Sequence, residues 1–324
     1  MSLGKGINSH IGYGGEVTFG VKGTIDLFSC MISETLRHVK DPFMSECLTD
    51  GWHDDVYYSA GRNEGSVVFS SIYTGHELYW HSLFGTYVFG VDTPVAGAHQ
   101  HAFTFVPSTN SFPVGISIEA VRGIGGTSEQ TFLGMHVTKA TIEFANRQIL
   151  RTTFDMLGTG TSFGAATVAS FPVFKPVLPA HKVLLQLGGN TFTVLSGTIE
   201  FEVPRDGARE HYGEALFKEA VIEGRPVASF SLVCEHNDAT SEDTEAFVQD
   251  YIAGNEIVGL ALQHQGDIIV GATKYDHSIA GNKAFITAAF PSAQDPGINQ
   301  LTIDGMITEG LALTMINATG TIVT

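Results

Sequence analysis

The chain has 324 residues, with 34 Asp and Glu against 17 Lys and Arg, a formal net charge of -17. Hydrophobic residues make up 43% and aromatic ones 10%, which excludes a disordered chain; the acidic balance disfavours a specific grip on nucleic acid, which needs clustered cations. The three cysteines, Cys30, Cys47 and Cys234, cannot all pair, so a disulfide scaffold is not expected and a reducing folding environment fits.

No apolar run is long enough for a membrane helix. The opening MSLGKGINSHIGYGGE lacks the apolar core of a secretion signal, so synthesis in the cytoplasm is the expectation. A long excursion follows at Glu34–Ser59, mixing Phe43, Met44, Leu48, Trp52, Tyr57 and Tyr58 with charges. Loops between strands are usually far shorter. Aromatic residues anchor interfaces, so this segment is a candidate intersubunit arm.

Val67–Tyr73 reads as a strand, rich in Val, Phe and Ile. It leads straight into a predicted helix over Thr74–Gly85, with Thr74 and Glu77 spaced as a capping box and Gly85 as the stop. Glycine punctuation at 123–126 precedes a strand containing Ile142–Phe144. The stretch Gly158–Lys182 combines Gly, Ser and Thr with three prolines, a linker pattern, yet it carries Val168, Phe171, Val173, Phe174, Val177 and Leu178. That much apolar surface is expected to pack on a domain or on another subunit. Strands are then predicted at Phe192–Val194, Thr198–Val203 and Val227–Cys234, and a second helix over Thr240–Gly254.

The two strand–helix units suggest an internal duplication. Ile32 matches Ile199, Gly61 matches Gly224, Thr74 matches Thr240, and Gly134–Phe144 resembles Gly305–Met315. The predicted organisation is mainly β. Residues 1–160 form a first unit with the long 34–59 loop, 161–182 a linker, and 183–324 a second unit, each unit with one helix.

A search for chemistry finds little. His99 and His101 are spaced by two, so on a strand they share a face, and they are weak metal candidates without a third ligand. His53, Asp54 and Asp55 are adjacent, and three neighbours rarely converge on one ion. Cys234 closes an apolar strand, where burial is the simpler explanation. No nucleophile elbow and no phosphate loop occur. No enzymatic activity and no cofactor are expected. In Thr198–Val203, Glu200 and Glu202 alternate with Ile199, Phe201 and Val203, as on a half-solvated strand.

The order of these elements resembles the major tail tube proteins of long-tailed double-stranded DNA bacteriophages. The likeness begins at Gly4–Gly20 (GKGINSHIGYGGEVTFG). It continues through Ile25–Glu34, the Gly-bearing strand Gly61–Tyr73, the helix at Gly75–Leu83 and the turn at Gly85. HAFTFVP at His101–Pro107, Ile116–Arg122 and Gly134–Phe144 complete it. The resemblance implies two tandem β-sandwich or rolled-barrel domains, each with a flanking α-helix. It implies rings, of three or six chains, stacked into a hollow tube in the virion tail. It implies partners as well: other copies of the chain, a tape-measure protein inside, tail terminator and distal tail proteins at the ends, and transient non-specific contact with double-stranded DNA, with no membrane. Glu143, Glu200 and Glu202 are then candidates for the lumen, where acidity would keep DNA from sticking. The competing reading is a β-sandwich glycan- or receptor-binding module of a virion, with Trp52, Tyr57 and Tyr58 as its aromatic platform.

Overall fold

The computed structural model describes residues 9–29, 31–44, 56–59, 61–105, 113–122, 129–171, 177–179, 183–206, 222–236, 244–254, 258–293 and 299–318. Within them the chain is mainly β, every strand pairing is antiparallel, and the sheet does not close into a barrel.

The first half opens with β1 (His10–Gly15) and β2 (Leu27–Ser29). Next come β3 (Met31–Glu34) and β4 (Arg37–Val39), which lie end to end along the same side of β7 (Arg62–Ser70). Between β4 and β7, β5 (Pro42–Met44) and β6 (Val56–Tyr58) form a separate two-stranded sheet. Helix α1 (Glu77–Phe84) is followed by a hairpin of β8 (Gly85–Gly90) and β9 (His99–Phe105). Then come β10 (Ile116–Val121) and the 17-residue β11 (Glu129–Ala145). β12 (Arg151–Gly158) and β13 (Thr161–Gly164) run consecutively back along β11.

The second half contains β14 (Val183–Leu187), β15 (Asn190–Phe192), β16 (Val194–Glu202) and β17 (Val227–Glu235). Helix α2 (Thr244–Ala253) precedes β18 (Val258–Val270) and the 20-residue β19 (Thr273–Ser292). β20 (Gln300–Glu309) and β21 (Ala312–Asn317) run consecutively back along β19. Gly310 breaks that return strand at φ 68, a left-handed conformation that glycine adopts without a Cβ clash.

The same pairing scheme recurs in the two halves. β7–β12–β11–β10 in the first matches β17–β20–β19–β18 in the second. Even the bulges correspond. β11 slips register against β12 between Val137 and Lys139, and β19 slips against β20 between Ile286 and Ala288. β3 slips against β7 between Met31 and Ser33, and β16 against β17 between Val194 and Ser196. With the bulges aligned, Ser66 opposite Asp155 matches Ser231 opposite Asp304, and Val68 opposite Thr153 matches Val233 opposite Thr302.

This alignment corrects the residue matches read from sequence. Gly134–Phe144 lies in β11, while Gly305–Met315 lies in β20 and β21, which are not its counterparts. Ile199 corresponds to Leu36, not to Ile32, once the bulges are respected. Insertions are the cause: the β8–β9 hairpin has no counterpart between α2 and β18, so a constant offset cannot hold.

Two seams join the halves. β11 pairs with β16, making one continuous sheet from β4 to β19, and β9 pairs with β21. Residues 161–164, placed in a linker by the sequence pattern, pair with residues 129–132 of β11. Leu178 is fully buried and its backbone bridges Ser71 and Leu150.

The apolar face of the sheet packs on α1, all of whose residues are buried. Trp80 sits at the centre, 5.0 Å from the Phe154 ring in the first half and 6.1 Å from the Phe201 ring in the second. Trp80→Ala removes the largest side chain at this junction and is expected to cost about 3–5 kcal/mol of stability, measurable by urea unfolding. The predicted helix start at Thr74 is displaced. His76 is the N-cap without a side-chain cap bond, the Thr74 hydroxyl lacks a partner among the described residues, and the Glu77 carboxylate accepts the Gly75 N–H at 2.6 Å. Thr240 and Asp243, the predicted cap of α2, lie outside the described residues.

Candidate functional site: the polar face of the sheet

Side chains alternate along a strand. In β11, Ala140, Ile142 and Phe144 are buried, so Lys139, Thr141 and Glu143 face the other way. The β16 register sets Glu202 opposite Lys139, Glu200 opposite Thr141 and Thr198 opposite Glu143. The three candidate lumen residues, Glu143, Glu200 and Glu202, therefore stand together on one face of the seam between the halves.

That face extends across the sheet. Arg151, Thr153 and Asp155 of β12 join it, then Arg62, Glu64 and Ser66 of β7. On the other side follow Ser229 and Ser231 of β17 and Thr302 and Asp304 of β20. Asp155, Asp304 and the serines facing them escaped the sequence reading. Their signal is the alternation shared by TFD in Arg151–Gly158 and TID in Gln300–Glu309, which an offset search without bulges does not align.

Carboxylates outnumber cations here, and several ion pairs partly offset them. Lys139 Nζ lies 3.0 Å from Glu200, Arg37 2.6 Å from Glu64, and Arg62 2.6 Å from Asp41. Such solvated pairs contribute little stability. Burial pushes the Asp155 carboxyl above its ordinary pKa; Lys139 pulls it back down and Glu200 adds to the rise. The result is a wide, wet face of hydroxyl and carboxylate groups, with exposed Val227, Met306 and Phe290 toward its β20–β19 side. It can repel a polyanion and offers it no ordered cationic track.

The other candidates sit elsewhere. Phe43 and Met44 fall in β5, and Tyr57 and Tyr58 in β6, where Phe43 pairs with Tyr57; Tyr58 is exposed. Leu48, Trp52 and the His53–Asp55 cluster lie outside the described residues. His101 is buried, with Nδ1 2.9 Å from the Tyr87 hydroxyl and Nε2 3.1 Å from Asn317 Oδ1. Both of its ring nitrogens are thus engaged by protein groups, which suits a structural tie between β9 and β21. His99 stacks on Phe89 and accepts a long hydrogen bond from the Asp92 N–H. Among the described residues, no group of three or more His, Cys, Asp or Glu could hold a metal.

A family model described as phage tail tube protein matches residues 6–306, nearly the whole chain. The chain belongs to the phage tail tube family. No curated protein matches it significantly. As a phage tail tube protein it is a structural subunit of the virion tail that assembles with itself into a tube, and the family is not known to be enzymatic.

Proposed function

We propose that this tail tube subunit closes with its own copies into rings that stack as a hollow conduit. The conduit encloses the tape-measure protein before ejection and passes double-stranded DNA during it, and tail terminator and distal tail proteins cap its ends. The repeat carries this reading. One chain contains two copies of the same β7–β12–β11 pairing, already joined edge to edge through β11 and β16. Each chain thus supplies two consecutive steps of a wall, and three chains make a pseudo-sixfold ring. The polar face carrying Glu143, Glu200 and Glu202 lines the lumen, where net negative charge keeps the genome mobile.

Negative-stain images of purified protein test the reading, with native mass spectrometry to count chains per ring. Rings or tubes of three chains are expected; a monomer at every concentration and in every buffer would defeat it. The β5–β6 arm has its own two-stranded sheet, outside the large one. Replacing residues 43–57 by a short Gly–Ser turn is therefore expected to leave circular dichroism and melting near wild type while long tubes give way to single rings. Loss of fold and tubes together would place the arm in the core.

A further inference from the structure

The two seams between the halves are built from different chemistry. At the β11–β16 seam the inward side chains are apolar: Ala140 lies opposite Phe201 and Ile142 opposite Ile199, all buried. At the β9–β21 seam a histidine row crosses the sheet. His264 of β18 lies opposite His277 of β19, His277 opposite Met315 of β21, and Met315 opposite His101 of β9. Directly opposed residues share a face, and all four are buried. The row faces α1, where the Trp80 ring is 6.0 Å from His277.

We propose that the β9–β21 seam is a proton-operated latch that opens first in acid, while the β11–β16 seam stays closed as the hinge between the halves. The device lies within one chain and does not rest on the tube reading.

Hydrogen bonding at both ends of the row fits neutral rings. Asn317 donates its amide to the Tyr73 carbonyl at 3.1 Å and to Glu77 at 2.8 Å, so its Oδ1 is turned to His101 and can only accept. His101 Nε2 therefore carries the proton, and Nδ1 accepts from the Tyr87 hydroxyl at 2.9 Å. His264 repeats the pattern. Its Nε2 donates to the Pro179 carbonyl at 2.6 Å, and its Nδ1 accepts from the Tyr73 hydroxyl. One proton per ring completes each network. A second would meet the tyrosine O–H and force it to turn, and it would add charge to a buried row.

The surroundings do not welcome that charge. Burial, His264 and His76 all push the His277 imidazole down, to about 3. On α1, Glu77 is tied to Gly75 and Asn317, and burial raises its carboxyl to about 7, so it sheds its own charge in acid. His81 lies 5.5 Å from the Tyr87 ring, and on the hairpin His99 stacks on Phe89, so both bring further imidazoles. On β19, Asp276 accepts the Gln263 amide at 3.2 Å. Burial, Asp276 and Asp267 raise the Tyr73 hydroxyl, and burial raises that of Tyr275 beside it, so both stay protonated. Each imidazole kept neutral in the closed seam and titrating near 6.5 in the open one favours opening by about 25-fold between pH 7 and 5. Glu77 opposes opening by about 40-fold, with a smaller opposition from Asp276, whose carboxyl burial also raises. Three imidazoles in the row outweigh them.

Hydrogen exchange of the unassembled wild-type subunit reads the two seams separately. From pH 7 to 5, corrected for the intrinsic rate, residues 99–105 and 312–317 are expected to lose protection by more than about tenfold. Residues 139–145 and 196–202 are expected to change little. Equal loss at both seams, or none at β9–β21, would overturn the latch. His277→Phe is expected to move the opening to lower pH. His136→Phe, which removes a buried imidazole of β11 outside the row, is expected to leave the opening where it is. Equal shifts in the two variants would mean general destabilisation and would also overturn the latch. The wild-type profile decides even where a variant fails to fold.

Discussion

Lowering the pH from 7 to 4.5 is expected to destabilise the isolated subunit. Three buried histidines drive this. Burial pushes the imidazoles of His76, His136 and His277 down to about 3; Arg205 adds to the effect at His136, and His264 and His76 add to it at His277. His76 is packed among Phe69, Tyr79 and Phe154, and its Nε2 has no hydrogen-bond partner among the described residues, so nothing there accommodates an added proton. In the unfolded chain each histidine protonates near 6.5. Their contribution is thus present above 6.5 and lost as the pH falls toward 3, at about 1.4 kcal/mol per pH unit for each.

Carboxyls raised by burial work in the opposite direction: Glu16, Asp155, Asp276 and, with the largest effect, Glu77. Burial raises its carboxyl to about 7, while hydrogen bonds from Gly75 and from Asn317, the latter at 2.8 Å, hold it down. Its stabilising contribution is full below its unfolded value near 4.5 and is lost as the pH rises through 7, so acid returns roughly 3 kcal/mol of the 8 that the histidines remove. Urea unfolding at pH 7, 6 and 5 measures the slope. His76→Phe is expected to lower the pH dependence by one proton's worth. A flat profile between pH 7 and 5, or an unchanged slope in that variant, would show that these imidazoles reach water.

Much of the polar face was legible in the sequence because a strand with one buried face writes its alternation into the residues. TIEFEV separates Glu200 and Glu202 from Ile199, Phe201 and Val203, and the structure keeps that separation. Alternation defines two faces without ordering the strands, so it could not place Glu143 beside Thr198. That required the β11–β16 register, a contact between the halves. The β8–β9 hairpin was missed for a related reason. Its polar histidines and turn residues give a weak local signal, and its stability comes from pairing with β21, more than two hundred residues away. α1 was found because strand and helix periods differ, and Gly85 does end it. Its start was misplaced because Glu77 bonds Gly75 from a buried position instead of capping in solvent. The repeat left its traces in paired bulges and in Ser–Asp and Val–Thr pairs across strands, features of register that a fixed spacing cannot detect.

On the proposed lumen reading, charge reversal at the seam is expected to make the polar face hold DNA. The ion pair between Lys139 and Glu200 makes Glu200 a poor site for the test, because a lysine there would repel Lys139 and confuse wall charge with local strain. Glu143 and Glu202 form no ion pair among the described residues, and the cations opposite them, Arg151 and Lys139, are solvated, so the added repulsion is small. Both are exposed on strands whose opposite faces carry the core, so replacing them leaves the packing of Ala140, Ile142 and Phe201 untouched. Glu143→Lys/Glu202→Lys swings the local charge by about two units at each position in every chain, and stacked rings repeat the change along the whole bore. The fold and tube length are expected to match wild type. Double-stranded DNA is expected to bind the variant tubes at low salt and to dissociate steeply as salt rises, because each neutralised phosphate releases a counterion. In reconstituted tails the same variant is expected to slow ejection, most strongly at low ionic strength. Unchanged ejection with normal tubes would move Glu143 and Glu202 off the lumen and turn the polar face outward, whereas DNA binding without any salt dependence would show that the contact is not with this wall.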